Sequence, residues 1–220
     1  MKLGVFLVLF GDKNLEEALD KAKELGLDAV EIGTGGYPGD AHCKVNQLLE
    51  DEGKLKNFKN AFEKRGLEIS ALSCHGNPLH PDEKIATAHR EIQRKTIQLA
   101  EKIGVPRINT FSGCPGDSEN SKYPNWVVCP WPDDFSAILK WQWEKKVIPF
   151  WKEEVEFAKK HNLKEICFEM HPGFVVYNPE TLLKLRKEVG EEIGANFDPS
   201  HLFWQGIDPL AALKKLKAAI

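Results

Sequence analysis

Short apolar runs alternate with longer segments of helical spacing along the chain, and this alternation constrains the fold more than any other feature. Residues 3–10 form an unbroken apolar run, whereas apolar side chains in residues 15–26 recur every three or four positions. Helical crossovers impose parallel strands, and continuous apolar runs are typical of strands buried on both faces. Six such pairs are predicted, with strands at 3–10, 28–34, 68–76, 107–113, 164–170 and 193–199 and helices at 15–26, 54–65, 82–104, 140–162, 179–189 and 208–219.

Two architectures use this alternation: an open doubly wound sheet and a closed (β/α)8 barrel. A dinucleotide-binding sheet would carry GxGxxG after an early strand, but the stretch "VLFGDKN" has one glycine, and GxxxxGK[ST] is absent as well. Polar residues that follow several different predicted strands favour the barrel, whose chemistry is drawn from many strand ends. They are Glu31, His75, Thr110, Ser112, Glu169, His171, Asp198 and His201.

The length of the chain is short for a closed barrel. Such a barrel typically needs about 250 residues, whereas the chain has 220 and supplies six of the eight βα units. We therefore expect an α/β fold of the (β/α)8 TIM barrel type, truncated at its C-terminus, with residues 1–220 forming a single domain.

The charge balance and the cysteines narrow the class of partner and the compartment. A formal charge of −3 offers no general attraction to nucleic acid or to an anionic membrane. The five cysteines lack CxxC spacing, and the N-terminus does not resemble a signal peptide. We expect a cytoplasmic protein with reduced thiols that binds a small molecule and neither nucleic acid nor membrane, and the sequence leaves homo-oligomer formation open.

The segment from Gly113 to Ser136 is too long, and too rich in proline, glycine and aromatic residues, for a simple connection. Long ordered loops at the catalytic end of a barrel often cover the substrate. Tyr123, Trp126 and Trp131 suit the apolar face of a sugar ring. The sequence favours a lid over the alternative, a surface excursion packed by its own tryptophans.

Two carboxylates at neighbouring predicted strand ends form the strongest candidate site. Glu169 and His171 point to the same side of an extended chain, and Asp198 follows the next strand, about 4.8 Å away in a parallel sheet. Convergent carboxylates and an imidazole suit Mn²⁺, Mg²⁺, Co²⁺ or Zn²⁺. Taken singly, Glu169 could be an ion-paired acid and Asp198 a turn or cap residue; together they favour a metal site.

Three more residues are candidates for the same pocket. His201 comes three residues after Asp198, so a tight turn would aim its imidazole at the same centre. His75 directly follows a predicted strand and is a candidate pocket residue. Trp204 is balanced between a pocket wall and a core aromatic under the last helix.

The motifs "CHGNP", "FSGCPGD", "PNWVVCPWP", "FEMHPG" and "NFDPSHLFWQGIDP" resemble the sugar phosphate isomerase/epimerase family, the xylose-isomerase-like TIM barrels. The similarity covers essentially the whole chain, and "FEMHPG" and "NFDPSHLFWQG" are its specific part. The resemblance implies a divalent metal (Mn, Mg, Co or Zn) held by Glu169, Asp198 and a later His and Glu. His201 resembles the family's histidine that contacts the substrate three residues after the aspartate. From their positions in the sequence, His171, His75, Trp204 and Trp131 are further candidate substrate contacts.

The reaction that the resemblance implies is an isomerase or epimerase step in carbohydrate metabolism. A proton next to a carbonyl would be removed and returned through a metal-stabilised enediolate, with Glu169 as one of the two metal-ligating glutamates that share this work. Two of the four ligands would follow Ile220, so the 220-residue chain is expected to be nearly inactive although its parent is an enzyme. The alternatives are a lyase acting on 3-keto-sugar glycosides, a zinc nuclease similar to apurinic endonucleases, and a non-catalytic sugar-binding barrel.

Overall fold

The computed structural model of the protein describes residues 1–220 and contains a six-stranded sheet whose strand order follows the chain. The pairs β1–β2, β2–β3, β3–β4 and β5–β6 are parallel. The predicted alternation of parallel strands and helices is therefore confirmed. The strands are β1 (Gly4–Phe6), β2 (Ala29–Gly33), β3 (Glu68–Ser73), β4 (Arg107–Thr110), β5 (Glu165–Glu169) and β6 (Ile193–Asn196).

The helices that follow the strands agree best with the sequence where the periodicity is longest. The predictions at 82–104 and 179–189 are confirmed to within one residue at each end. None of the helices combines the length and the apolar character needed to cross a bilayer. The α-helices are α1 (Leu15–Glu24), α2 (Val45–Glu50), α3 (Glu52–Glu63), α4 (Glu83–Ile103), α5 (Asp133–Trp141), α6 (Ile148–Lys160), α7 (Pro179–Val189), α8 (Ser200–Phe203) and α9 (Pro209–Leu216).

The chain divides into two compact units. The first comprises Met1–His75, Glu91–Asn109 and His161–Lys164, and the second comprises Gly76–Arg90, Thr110–Lys160 and Glu165–Ile220. Each unit has its own fully buried side chains. Those of the first unit include Leu7, Leu19, Ile32, Leu72, Ile97 and Ile108, and those of the second include Trp151, Ile166, Phe168, Met170 and Leu182. The single domain predicted for residues 1–220 stays a prediction.

The first predicted strand is too long. Only Gly4–Phe6 pairs with β2, and Leu7–Phe10 form a 3₁₀ turn. The turn places the Leu7 side chain in the core of the first unit and leaves Val8 and Leu9 exposed. The unbroken apolar run therefore predicted the strand at its start but not the turn that follows it, and of its residues only Leu7 is buried.

The helix predicted at 140–162 begins earlier and is interrupted. α5 starts at Asp133, a π-helical segment covers Gln142–Val147, and α6 continues from there. Pro149 explains the interruption, because its ring lacks an N–H and would clash with the carbonyl four residues earlier in a regular α-helix. The wider turn relieves that clash and is closed by a bond from the Ile148 N–H to the Trp143 carbonyl.

Trp151 of α6 ties the core of the second unit together. Its ring is fully buried and meets Phe168 of β5 edge-on, with the centroids 4.6 Å apart. Its Nε1 donates to the Ser112 carbonyl at 2.9 Å, while the Ser112 Oγ accepts from the Val176 N–H at 2.9 Å. The β4–α5 connection is thus anchored at its start to both α6 and the segment after β5.

Replacing Trp151 with Phe should lower the midpoint of urea unfolding followed by far-UV circular dichroism. The change removes the Nε1 donor and leaves the buried Ser112 carbonyl without it, a loss of about 1–3 kcal/mol. Trp131→Phe is the control, because the Trp131 side chain is 73% exposed. Equal midpoints for the two variants would contradict this role of Trp151.

The thiols should differ sharply in reactivity. Burial raises the pKa of Cys43 and of Cys114 to about 12, and the side chains of Cys74 and Cys167 are buried as well, whereas Cys129 is exposed. Because the thiolate is the reactive form, Ellman's reagent should modify one thiol rapidly in the native protein and five after denaturation. Cys129→Ser should abolish the rapid phase, and two or more rapid thiols would contradict the burial.

Candidate metal centre

Parallel pairing of β5 and β6 positions the two candidate carboxylates. Glu169 is the last residue of β5 and lies opposite Asn196, the last residue of β6. Asp198 follows two residues later, at the same carboxyl edge of the strand pair. Ligand atoms of Glu169, Asp198 and His201 all lie within 4.8 Å of one another. The convergence expected of the two carboxylates is present in the structure.

His201 reaches this group because the chain turns immediately after β6. The Asp198 Oδ1 accepts from the Ser200 N–H at 2.8 Å and so starts the short helix α8. The His201 Nε2 then lies 2.7 Å from the Glu169 Oε1 and 3.5 Å from the Asp198 Oδ2. Asp198 therefore serves as a turn residue, the alternative considered from the sequence, and is also a member of the cluster.

The donor set fits a divalent ion. Two carboxylates and one imidazole are ligands that Mn²⁺, Co²⁺ and Zn²⁺ accept, and the carboxylates alone suit Mg²⁺. The side chains of Glu169 and His201 are 19% and 17% exposed, and that of Asp198 is 40% exposed. The cluster is thus sheltered yet open to an ion and a small ligand. His201, expected as a substrate contact, also offers a ligand atom.

Asn196 is a neighbour of the site that the sequence reasoning missed. Its Nδ2 lies 3.4 Å from the Glu169 Oε2, so it can orient the carboxylate oxygen that does not contact His201. The strand register carried the signal, because Asn196 is the residue directly across from Glu169.

His171 adjoins the cluster within a group of rings. Its ring centroid lies 4.4 Å from that of His201 and 5.0 Å from that of Phe111. Phe174 stacks on Phe111 at 4.2 Å and approaches His171 at 5.9 Å. The structure therefore brings His171 to the site, and it adds Phe111 and Phe174, which sequence reasoning missed because their contacts are distant along the chain.

The aromatic residues expected near the substrate occupy different places. Trp204 is 55% exposed, and its ring meets Trp126 edge-on at 5.9 Å. Trp126 also meets Tyr177 at 5.2 Å and packs against the cluster of Phe111, Cys114 and Phe174. Trp131 is 73% exposed, and its contact with substrate stays a prediction.

His75 lies in the first unit, two residues after β3. It is 4% exposed, and its carbonyl accepts from the Tyr37 N–H at 2.8 Å. Gly36 passes so close that a Cβ there would lie 2.1 Å from that carbonyl oxygen, and its φ of +68° favours glycine. The role of His75 in substrate binding stays a prediction.

A profile of the xylose isomerase-like TIM barrel family matches residues 19–220. The chain belongs to this family. The barrel-type α/β fold and the family expected from the sequence are thereby confirmed. A curated relative, the uncharacterized protein YfiH of Bacillus subtilis (strain 168), is 40% identical over 222 residues, which span 100% of this chain and 71% of YfiH.

Solved structures share the fold at lower identity. AsbF of Bacillus anthracis, described as a probable 3-DHS dehydratase, has a TM-score of 0.71 and 18% identity, covering 100% of this chain and 71% of AsbF. D-Psicose 3-epimerase of Clostridium cellulolyticum H10, solved with D-tagatose, has a TM-score of 0.66 and 14% identity, covering 100% of this chain and 71% of the epimerase. A xylose isomerase-like TIM barrel protein of Mycobacterium smegmatis, in complex with magnesium, has a TM-score of 0.65 and 17% identity, covering 98% of this chain and 71% of that protein.

Loss of either carboxylate should weaken Mn²⁺ binding measured by calorimetry on the 220-residue chain. Glu169→Gln and Asp198→Asn each remove one anionic ligand, and we expect a rise in Kd of about 10- to 100-fold or more. Glu165→Gln, at the other end of β5, is the control. Unchanged Mn²⁺ affinity in both site variants would rule out this centre.

Proposed function

We propose that the protein is a divalent-metal-dependent enzyme that transfers a proton at the carbon next to the carbonyl of a keto sugar, as an isomerase or epimerase. The observation that carries this proposal is the convergence of Glu169, Asp198 and His201 at the carboxyl ends of β5 and β6. Barrel enzymes of this class take their chemistry from that edge.

The ligand atoms divide naturally between ion and substrate. Glu169 and Asp198 would hold the ion, and His201 lies where it can complete the ligand set or donate to a substrate oxygen. When bound, the ion supplies Lewis-acid polarisation of the sugar's carbonyl and hydroxyl oxygens. Two solved structures of similar fold support the two kinds of ligand, since one is a complex with magnesium and the other a complex with D-tagatose.

Glu169 is the candidate base. Its Oε1 contacts His201 and its Oε2 faces Asn196, so both carboxylate oxygens are oriented within the site. A carboxylate held in this way can accept the proton from the carbon next to the carbonyl and return it. The His171 ring packs edge-on against the His201 imidazole, with the ring centroids 4.4 Å apart, and this contact restricts rotation of His201.

A lyase is the second candidate, supported by the similarity of the fold to AsbF, a probable 3-DHS dehydratase. Removal of the same proton followed by expulsion of a leaving group, instead of reprotonation, would give elimination. The same residues serve both outcomes, so the products of the reaction distinguish them. Zinc-dependent nicking of abasic DNA would favour the nuclease alternative.

Deuterium exchange into a keto sugar tests the proposal. The 220-residue chain, incubated at high concentration with Mn²⁺ and D-fructose in D₂O, should incorporate deuterium next to the carbonyl slowly, without robust net epimerisation. Glu169→Gln should abolish the exchange because the base is lost, and mass spectrometry of the recovered sugar measures it.

Glu165→Gln should exchange like the unaltered chain. Exchange that persists in Glu169→Gln would remove the base assignment. Loss of a substituent instead of exchange would select the lyase.

A further inference from the structure

Gln142, at the start of the π-helical segment, forms hydrogen bonds with backbone carbonyls of the β4–α5 connection. Its side chain is 1% exposed, and its Nε2 lies 2.7 Å from the Asn125 carbonyl and 2.9 Å from the Gly116 carbonyl. The Pro115 carbonyl is 3.3 Å away. One buried amide therefore faces carbonyls from two stretches of the loop, nine residues apart.

These two stretches also bond to each other. The Asn125 N–H donates to the Pro115 carbonyl at 2.9 Å, which closes residues 115–125 into a loop with adjacent ends. Gln142 completes the closure by donating to the Gly116 and Asn125 carbonyls, and a buried carbonyl left without its donor costs about 1–3 kcal/mol. The position of the residue after Asn125 is thus set by Gln142.

That residue is Trp126, whose ring is linked to the candidate metal centre by ring contacts within the second unit. Trp126 packs against the cluster formed by Phe111, Cys114 and Phe174, and both phenylalanine rings of that cluster contact His171. On its other side Trp126 meets Trp204, three residues after His201 in the chain. The Trp126 ring therefore lies one layer of side chains away from the histidines of the site.

Two features indicate that the position of Trp126 is functional. The Trp126 Nε1 is buried and has no hydrogen-bond partner, so the fold holds the indole in this place at a cost of about 1–3 kcal/mol. The π-helical turn that carries Gln142 is a rare element, and such turns are frequent at functional sites. Pro149 accounts for the turn sterically but does not account for the placement of a buried glutamine at its first position.

We propose that Gln142 is a positioning residue that holds Trp126 as a specificity-determining wall of the Glu169–His201 site. With Trp204, Trp126 offers an apolar face for the carbon face of a sugar ring. The identity of the ligand rests on the proposed function, whereas the positioning of Trp126 by Gln142 rests on the contacts alone.

The test uses the full chain labelled with 5-fluorotryptophan, whose six tryptophans give six ¹⁹F resonances assignable by Trp→Phe substitution. Bound Mn²⁺ should broaden the resonances of Trp126 and Trp204. In Gln142→Met, which keeps the length of the side chain but removes the donor, the Mn²⁺-induced broadening of Trp126 should change measurably while that of Trp204 stays the same. Gln93→Met, a buried glutamine of the first unit, controls for general destabilisation.

Ligand binding provides the second readout. Gln142→Met should raise the apparent Kd for D-fructose about tenfold because it displaces the indole, and Trp126→Phe about threefold because it removes part of the ring face, with the Kd for Mn²⁺ unchanged in both. Trp126→Phe keeps an apolar ring and does not disturb the Gln142 bonds, so it tests the wall even where Gln142→Met fails to fold.

The outcomes separate the two proposals. Unchanged broadening of Trp126 in Gln142→Met would overturn the positioning role, and an unchanged Kd for D-fructose in Trp126→Phe would overturn the wall. If Mn²⁺ broadens neither Trp126 nor Trp204 in the unaltered chain, the metal centre of the proposed function falls, and the wall falls with it. Broadening without any D-fructose binding would overturn only the assigned substrate class and the wall built for it.

Discussion

The register between β5 and β6 is the constraint on which the candidate site depends. Because Glu169 lies opposite Asn196, the chain that leaves β6 must place Asp198 at the edge where Glu169 ends. A shift of one residue would point every side chain of β6 to the other face. The turn after Asp198 then brings His201 to within 2.7 Å of Glu169. Strand pairing thus assembles three ligand atoms from two βα units.

Aromatic and imidazole rings of the second unit, rather than further charged side chains, surround these ligand atoms. His171 lies between the phenylalanines and His201, so the imidazoles are oriented by packing. Outside them Trp126 and Trp204 provide an apolar edge. Ligand pockets commonly combine apolar walls with a few convergent polar groups. The arrangement fits a small hydroxylated ring better than a phosphate backbone, which would need a basic surface.

Sequence reasoning predicted the features that are encoded locally and missed those that depend on distant contacts. The order of strands and helices follows from hydrophobic periodicity, and the closeness of Glu169 to Asp198 follows from parallel pairing. The bond between His201 and Glu169 depends on how tightly the chain turns, which spacing alone does not specify. The roles of Trp126 and Gln142 rest on contacts across a long loop and on a π-helical turn, for which the sequence offers only Pro149 as a signal.

The central claim is that Glu169 and Asp198 share one divalent ion, and anomalous diffraction at the manganese edge tests it most directly. Crystals of the chain grown with Mn²⁺ should show an anomalous peak at bonding distance, about 2.0–2.2 Å, from a carboxylate oxygen of each residue. His201 should lie in contact with that ion or with a ligand bound to it. An ordered site at saturating Mn²⁺ with no peak between the two carboxylates would contradict the account.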